Sequence, residues 1–375
     1  MDGPASSGSA PNRPQADGRP PPPTLLSRRT RRILAAGVVL SVAGGALHLA
    51  GGSPIVTFAV CGLALALLAS IVGEATEQLG MHMGPGATGV LHSALGNLPE
   101  FFIGIFALRQ GLTGVVQAAL VGSILGNSLL VLGIAFMAGG LRHGTQRFSG
   151  DTARLIVTMT LLSVAALAMP TLAAVLHTPA AAHEETLSVA VSVVLLVVFI
   201  GSMVVSLRGE GAPAGEAEAT AEQRWPLALT IGLLAVAAGG SALVSEWFVD
   251  ALTPATRALH ISQGFTGLVI VAIAGNAVEN VVGVQLMARN HGDLALNVIL
   301  QSSLQVALAL TPALVLLSFV VGGAHLTLVL PPLLVAALGL TAVVQLAVVY
   351  DGESTWIEGL ALIGLYSLIA ASFWW

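Results

Sequence analysis

The sequence predicts an all-α polytopic membrane protein of about eleven transmembrane helices, one N-terminal helix followed by two inverted five-helix repeats. Three observations predict this. The 375 residues are 55% hydrophobic and only 9% charged, with a mean hydropathy of +0.89, whereas charged residues approach a quarter of an ordinary soluble chain. The apolar runs continue over about twenty residues, the length that crosses ~30 Å of hydrocarbon as a helix, and they lack the period-two alternation of a membrane barrel. Finally, one polar motif recurs at a fixed offset inside two of the spans.

Residues 1–32 form the expected disordered cytoplasmic tail, because Pro, Gly, Ser and Ala without an apolar period cannot bury enough surface to offset ordering. Arg28, Arg29, Arg31 and Arg32 then precede an apolar run at 33–52. That run is long for a signal peptide and reads as the first transmembrane helix. Repeat 1 (53–207) contains apolar spans at 54–73, 86–108, 115–139, 154–170 and 186–207. The segment 208–225 carries Glu210, Glu216, Glu218 and Glu222 among Gly, Ala and Pro, and reads as a solvated cytoplasmic linker. Repeat 2 (226–375) contains spans at 226–245, 264–287, 294–320, 325–349 and 356–374.

Loop charge tests this count independently, since the basic residues of short loops collect on the cytoplasmic side. The chain has no lysine and fourteen arginines. With the N-terminus inside, only Arg109 and Arg257 fall on the outer side, and a miscount by one helix midway would flip every later arginine. The expected location is therefore an integral membrane position with a cytoplasmic N-terminus. Arg-only, Ala-rich usage suggests a bacterial cytoplasmic membrane.

Several function classes are excluded. A net charge of -5 without a basic stripe excludes nucleic acid as a partner. Cys61 is the lone cysteine, which removes disulfide frameworks and Cys-rich metal sites; it reads as a small apolar core residue. There is no HExxH motif and no GxSG in a span, so an intramembrane enzyme is not expected. No cofactor is expected either, and the oligomeric state is open.

The most informative signal is internal. Gly96-Asn97-Leu98-Pro99-Glu100 and Gly275-Asn276-Ala277-Val278-Glu279 share the pattern Gly-Asn-x-x-Glu at an offset of 179 residues. The same offset carries Ser123 onto Ser302. Five spans per repeat, an odd number, require the second copy to enter the membrane upside down, which places a substrate near the midplane where the repeats meet. Of nineteen acidic residues, only Glu100 and Glu279 fall well inside apolar spans. A charge at the bilayer centre costs ~2.5–3.5 kcal/mol even on the lenient insertion scale, so such residues face cavities and function.

The neighbours suit a hard cation. Asn97 and Asn276 lie three residues before each glutamate, on the same helix face. Ser123, Asn127, Ser302, Ser303 and Gln305 add oxygen-bearing side chains from adjoining spans. Such donors with two carboxylates match Ca²⁺, whereas softer metals recruit Cys or several His. Glu100 and Glu279 are the expected ligands. A helix-to-helix hydrogen bond is the alternative for each Ser, Asn or Gln. His82 between Met81 and Met83 is read as a membrane-edge cluster in preference to a soft-metal site.

At these residues the chain resembles the calcium/cation antiporter superfamily, and most closely its calcium/proton exchanger branch. The resemblance rests on GATGVLHSALGNLPEFFIGIFALRQG leading into VVQAALVGSILGNSLLVLGIAF, on GLVIVAIAGNAVENVVGVQLMARNHGDLALNVILQSSLQVAL, and on DGESTWIEGLALIGLYSLIA near the C-terminus. It implies Ca²⁺ and H⁺ as transported ions, with Glu100 and Glu279 binding both and Asn97, Asn276, Ser123, Asn127, Ser302 and Gln305 completing the site. Glu77, in the segment from Glu74, matches an acidic family position near the cytoplasmic mouth; both are candidate gating residues. The chain departs from the family at Pro99, His92, Gln301 and Asn280, the last standing where the proton-exchanging branch commonly has His. Exchange of cytoplasmic Ca²⁺, or a similar divalent cation, for H⁺ by alternating access is the expectation. Na⁺/Ca²⁺ exchange and a non-transporting membrane scaffold are the alternatives.

Overall fold

Helix α1 (Arg28–Leu49) opens a chain that is helical almost throughout. The structure, a computed structural model, describes residues 26–83, 91, 95–207 and 224–374, except for the side chains of 150–151, 205–207 and 277–279. Most of the expected tail and linker lies outside the described residues. The tail was expected to reach residue 32, but α1 already begins at Arg28. Ser27 Oγ accepts the Thr30 N–H at 3.0 Å, capping the helix, and Thr30 Oγ1 donates to Glu74 Oε1 at 2.6 Å. The four arginines stay exposed on long stems while the backbone continues as helix.

Helices α2 (Pro54–Met83) and α7 (Leu227–Leu259), the first of each repeat, pack along one another, with Phe58 stacked on Phe248 at 4.5 Å between centroids. Helix α1 lies across both. A Cβ on Gly44 would stand 2.8 Å from Cys61 Sγ, and one on Gly45 would run into the Trp247 ring, so these glycines set the close approach. Cys61 is fully buried. On α2, Gln78 Oε1 accepts the Trp225 N–H at 2.9 Å and His82 Nε2 lies 2.8 Å from Trp225 O, so His82 binds backbone at the start of α7.

The remaining helices are α3 (Leu98–Arg109), α4 (Thr113–His143), α5 (Gly150–Val175), α6 (Glu184–Leu207), α8 (Gln263–Gly275), α9 (Ala277–Ala288), α10 (Gly292–Val321), α11 (Pro332–Val349) and α12 (Trp356–Ser372). Among the described residues eight helices are long and apolar enough to cross a membrane, or nine if the bent pair α8 and α9 counts as one; α12 is shorter. The expected span 86–108 is described mainly through α3.

The threading is inverted. Asp293 at the start of α10 accepts the Ser149 N–H at 2.5 Å, just beyond the end of α4, so these repeat-related helices run in opposite directions. At this face strands β1 (Gln146–Arg147) and β2 (Glu353–Ser354) pair antiparallel, with Arg147 3.1 Å from Glu353. This end is the strand face. At the far face, Gln110 donates to Asp250 at 2.5 Å beside His48.

Two helices break at the motifs. Helix α3 starts anew after a turn at Gly96–Asn97, with Pro99 in its first turn, where a missing N–H costs nothing. Helices α8 and α9 meet at Asn276 with a bend of 64°. A third departure corrects the expected span 325–349. Residues 322–331 are not helical, and α11 begins only at Pro332. Gly322 and Gly323 take φ of 79° and 97°, and Pro331 and Pro332 remove two amide donors, so no helix continues through them.

Candidate cation site

Glu100 sits in the first turn of α3, 8% exposed, where the break frees backbone N–H groups and the helix dipole favours negative charge. Its Oε1 accepts from Ser123 Oγ on α4 at 2.7 Å and from Asn276 Nδ2 at the α8–α9 break. The carboxylate of the first repeat is thus held by the motif asparagine of the second.

The asparagine is itself fixed. Asn276 Nδ2 also donates to Ala272 O at 3.1 Å, and Asn276 Oδ1 lies 3.4 Å from both Asn127 Nδ2 and Ser302 Oγ. Asn127 Nδ2 donates to Ser302 Oγ at 2.8 Å. Glu100, Ser123, Asn276, Asn127 and Ser302 therefore form one buried network spanning both repeats. Ser303 pairs with Ser128 at 3.0 Å and lies 3.5 Å from Ile124 O, beside that network. Asn97 stands at the N-cap position of α3 without a side-chain capping bond and is buried, and Gln305 is buried on α10 after Ser303. Glu279 lies in the first turn of α9, with its side chain outside the described residues. Glu74 is half-buried and tied to Thr30, and Glu77 is exposed on the same helix.

Two features escaped the sequence reading. The first is the role of the motif glycine: a Cβ on Gly275 would stand 2.7 Å from Glu100 Oε1. Its role is to leave room for the other repeat's carboxylate. In the same way a Cβ on Gly122 would strike the Leu268 backbone, which lets α4 and α8 touch next to Ser123. The second feature is a set of π-helical segments, Gly126–Val131 in α4, Thr266–Val271 in α8 and Val306–Leu310 in α10. The first and third follow the site serines at the repeat offset. A π turn shifts side-chain register by one position, which is how Asn127 and Ser128 both reach α10. Ser128 could have been found from its place beside Asn127; nothing in residue type marks a π turn.

Chemically the site is a hard-ligand set. Hydroxyls and amides can donate to a carboxylate or turn an oxygen to a cation, so the same side chains can serve either occupant. A crevice runs from Glu100 and Ser123 past Ile103, Gly104, Ala107 and Val116 toward the far face.

Two oppositely threaded halves, with broken helices meeting at a buried carboxylate, define an inverted-repeat membrane transporter. The chain belongs to the sodium/calcium exchanger protein family, whose model matches residues 53–208 and 229–375, and within it to the calcium/proton exchanger branch. It is 35% identical over 349 residues to the Ca²⁺/H⁺ antiporter of Synechocystis sp., covering 88% of this chain and 93% of that one. It is 33% identical over 356 residues to the Ca²⁺/H⁺ antiporter ChaA of Bacillus subtilis, covering 91% and 97%. The solved structure of native YfkE superposes with a TM-score of 0.78 at 30% identity, covering 92% of this chain and 99% of that one. The resemblance read from the motifs is borne out.

Proposed function

We propose that this chain moves Ca²⁺, or a similar divalent cation, out of the cytoplasm in exchange for H⁺ by alternating access, with Glu100 and Glu279 as the shared site. The observation that carries the reading is the grip of Ser123 and Asn276 on Glu100 Oε1, one donor from each repeat. Glu279 is the second carboxylate by the repeat offset, and relatives named as Ca²⁺/H⁺ antiporters support the ion pair.

Coupling follows from the cost of burial. Two ionised glutamates without a cation are expensive at the midplane, at ~2.5–3.5 kcal/mol each even on the lenient scale. The bare dianionic carrier therefore does not reorient. With Ca²⁺ bound, or with both carboxyls protonated, the charge is neutralised and both conformations become accessible. One ion can return only if the other has taken its place. Asn97, Asn127, Ser302, Ser303 and Gln305 complete the oxygen set, and the N-terminus faces the cytoplasm.

The test is radiolabelled Ca²⁺ uptake into proteoliposomes under an imposed pH or Na⁺ gradient. A pH gradient is expected to drive uptake, and Glu100→Gln or Glu279→Gln to abolish it while the thermal transition of the purified protein is kept. Sodium is the second reading, favoured by Asn280 in the first turn of α9; uptake driven by Na⁺ alone would select it. Flux under neither gradient would leave a membrane scaffold.

A further inference from the structure

The segment 322–331 crosses the far face as an extended strap, and its backbone polar groups are held by side chains from four helices. Ser318 Oγ on α10 accepts the Leu326 N–H at 2.9 Å, Ser188 Oγ on α6 that of Leu328 at 2.9 Å, and Thr171 Oγ1 on α5 that of Leu330 at 2.8 Å. From the other side, Gln117 Nε2 on α4 donates to Thr327 O at 2.9 Å and Val329 O at 3.1 Å. Amides at every second residue point one way and the intervening carbonyls the other, as in a strand. Leu326, Leu328 and Leu330 are 1%, 2% and 7% exposed. They roof a cavity against α4 whose wall includes Leu120, Val121 and Ile124, the turn that carries Ser123. Leu120 also lines the crevice that reaches Glu100.

The strap is tied to the site at its start. Ala324 N–H donates to Leu108 O, at the far end of the helix bearing Glu100, at 3.2 Å, and a Cβ on Gly323 would collide with that carbonyl. The repeat offset of 179 carries Gln146–Phe148 onto His325–Thr327, so the strap takes the place that β1 holds at the strand face. There the chain is fixed to β2 by a backbone ladder and the Arg147–Glu353 pair. The strap has no partner strand among the described residues. Irregular backbone at membrane depth is tolerated only where protein or a water-filled cavity satisfies it. Four rotatable side chains do so here, and each can be exchanged for water singly, without melting a ladder. Positive-φ glycines at one end and a Pro-Pro pair at the other mark where it would swing.

We infer that the strap is the far-face gate of the transport pathway, that Gln117 is the positioning residue that holds it shut, and that the Ala324–Leu108 tie couples it to the Glu100 helix. This rests on the exchange reading above and goes beyond it. Opening the strap exposes the cavity beside Ser123, and displacement of α3 as Glu100 changes its occupant moves the strap's anchor.

The test uses the full chain with Cys61→Ala, which removes the sole native thiol, and Leu328→Cys, reconstituted into liposomes and treated with a membrane-impermeant maleimide. Labelling at 328 is expected to change several-fold between saturating Ca²⁺ and Ca²⁺-free acidic conditions, while a control Ala182→Cys on the same face labels equally in both. Adding Gln117→Leu is expected to raise the slower rate at least about fivefold, the shift in an opening equilibrium given by losing even one of its two hydrogen bonds to the strap. Thr171→Val should act likewise, and Thr171→Ser, which keeps the hydroxyl, should restore the original rates. Equal labelling at 328 under both ionic conditions overturns the gate. Ca²⁺ flux measured on the same liposomes separates the two readings. Gradient-driven flux with invariant labelling sinks the strap alone, and absent flux sinks the exchange reading while the labelling is still scored.

Discussion

Asn276 of the second repeat donates its side-chain amide to Glu100 Oε1 of the first, and Gly275 beside it supplies the room for that carboxylate. The Gly-Asn pair of one motif therefore serves the glutamate of the other. The consequence is that a lesion at 276 acts at residue 100. A hydrogen bond to a charged group contributes about 1.5–3 kcal/mol, so Asn276→Ala is expected to lower Ca²⁺ uptake at least about tenfold with the fold intact. Initial rates in proteoliposomes measure it, and a rate within twofold of wild type would refute the assignment.

Gly275→Ala separates space from flexibility. The added Cβ meets Glu100 Oε1 at 2.7 Å, while one on Gly339, in the middle of α11, meets nothing within 4 Å. Overpacking costs about 1–3 kcal/mol, and Gly to Ala in an open helix position gains up to about 1 kcal/mol. Thermal unfolding in detergent is expected to fall for Gly275→Ala and hold or rise for Gly339→Ala, with transport lost only in the former.

Much of this was legible in the sequence because membrane burial leaves few polar residues to choose among. Glu100, Asn276, Ser123, Asn127 and Ser302 were singled out by type and offset alone, and they share one network. Ser303 is among the expected residues and its partner Ser128 is not, although it adjoins Asn127, and nothing in residue type marks the π turn between Gly126 and Val131 that holds it. The span at 325–349 was drawn too long for a related reason. Leu326, Leu328 and Leu330 are as apolar as helix residues, and only hydroxyls distant in sequence, at 171, 188 and 318, make an extended path affordable there. Hydropathy measures what a residue would bury, not which remote group will satisfy its backbone.

The Ser128–Ser303 pair, fully buried and 3.0 Å apart, joins the repeats through α4 and α10. Side-chain hydrogen bonds between membrane helices average about 0.6 kcal/mol and reach about 1.7 kcal/mol. A double-mutant cycle of Ser128→Ala and Ser303→Ala on unfolding stability is expected to give a coupling in that range. Zero coupling would mean that the two hydroxyls are satisfied separately.

Glu74 and Glu77 stand one helical turn apart on α2 and are expected to behave differently. Glu74 is half-buried and receives the Thr30 hydroxyl at 2.6 Å, so it fastens α1 to α2. Glu77 is exposed, where a carboxylate attracts cations through solvent and is screened by salt. Thr30→Val should therefore lower the thermal transition without moving the KM for Ca²⁺, because only the fastening is lost. Glu77→Gln should raise KM at low ionic strength, leave the maximal rate unchanged, and converge on wild type as salt is added. If Glu74→Gln instead reproduced the salt-dependent KM change and left stability alone, the division of labour would be reversed, with Glu74 as the cation-attracting residue.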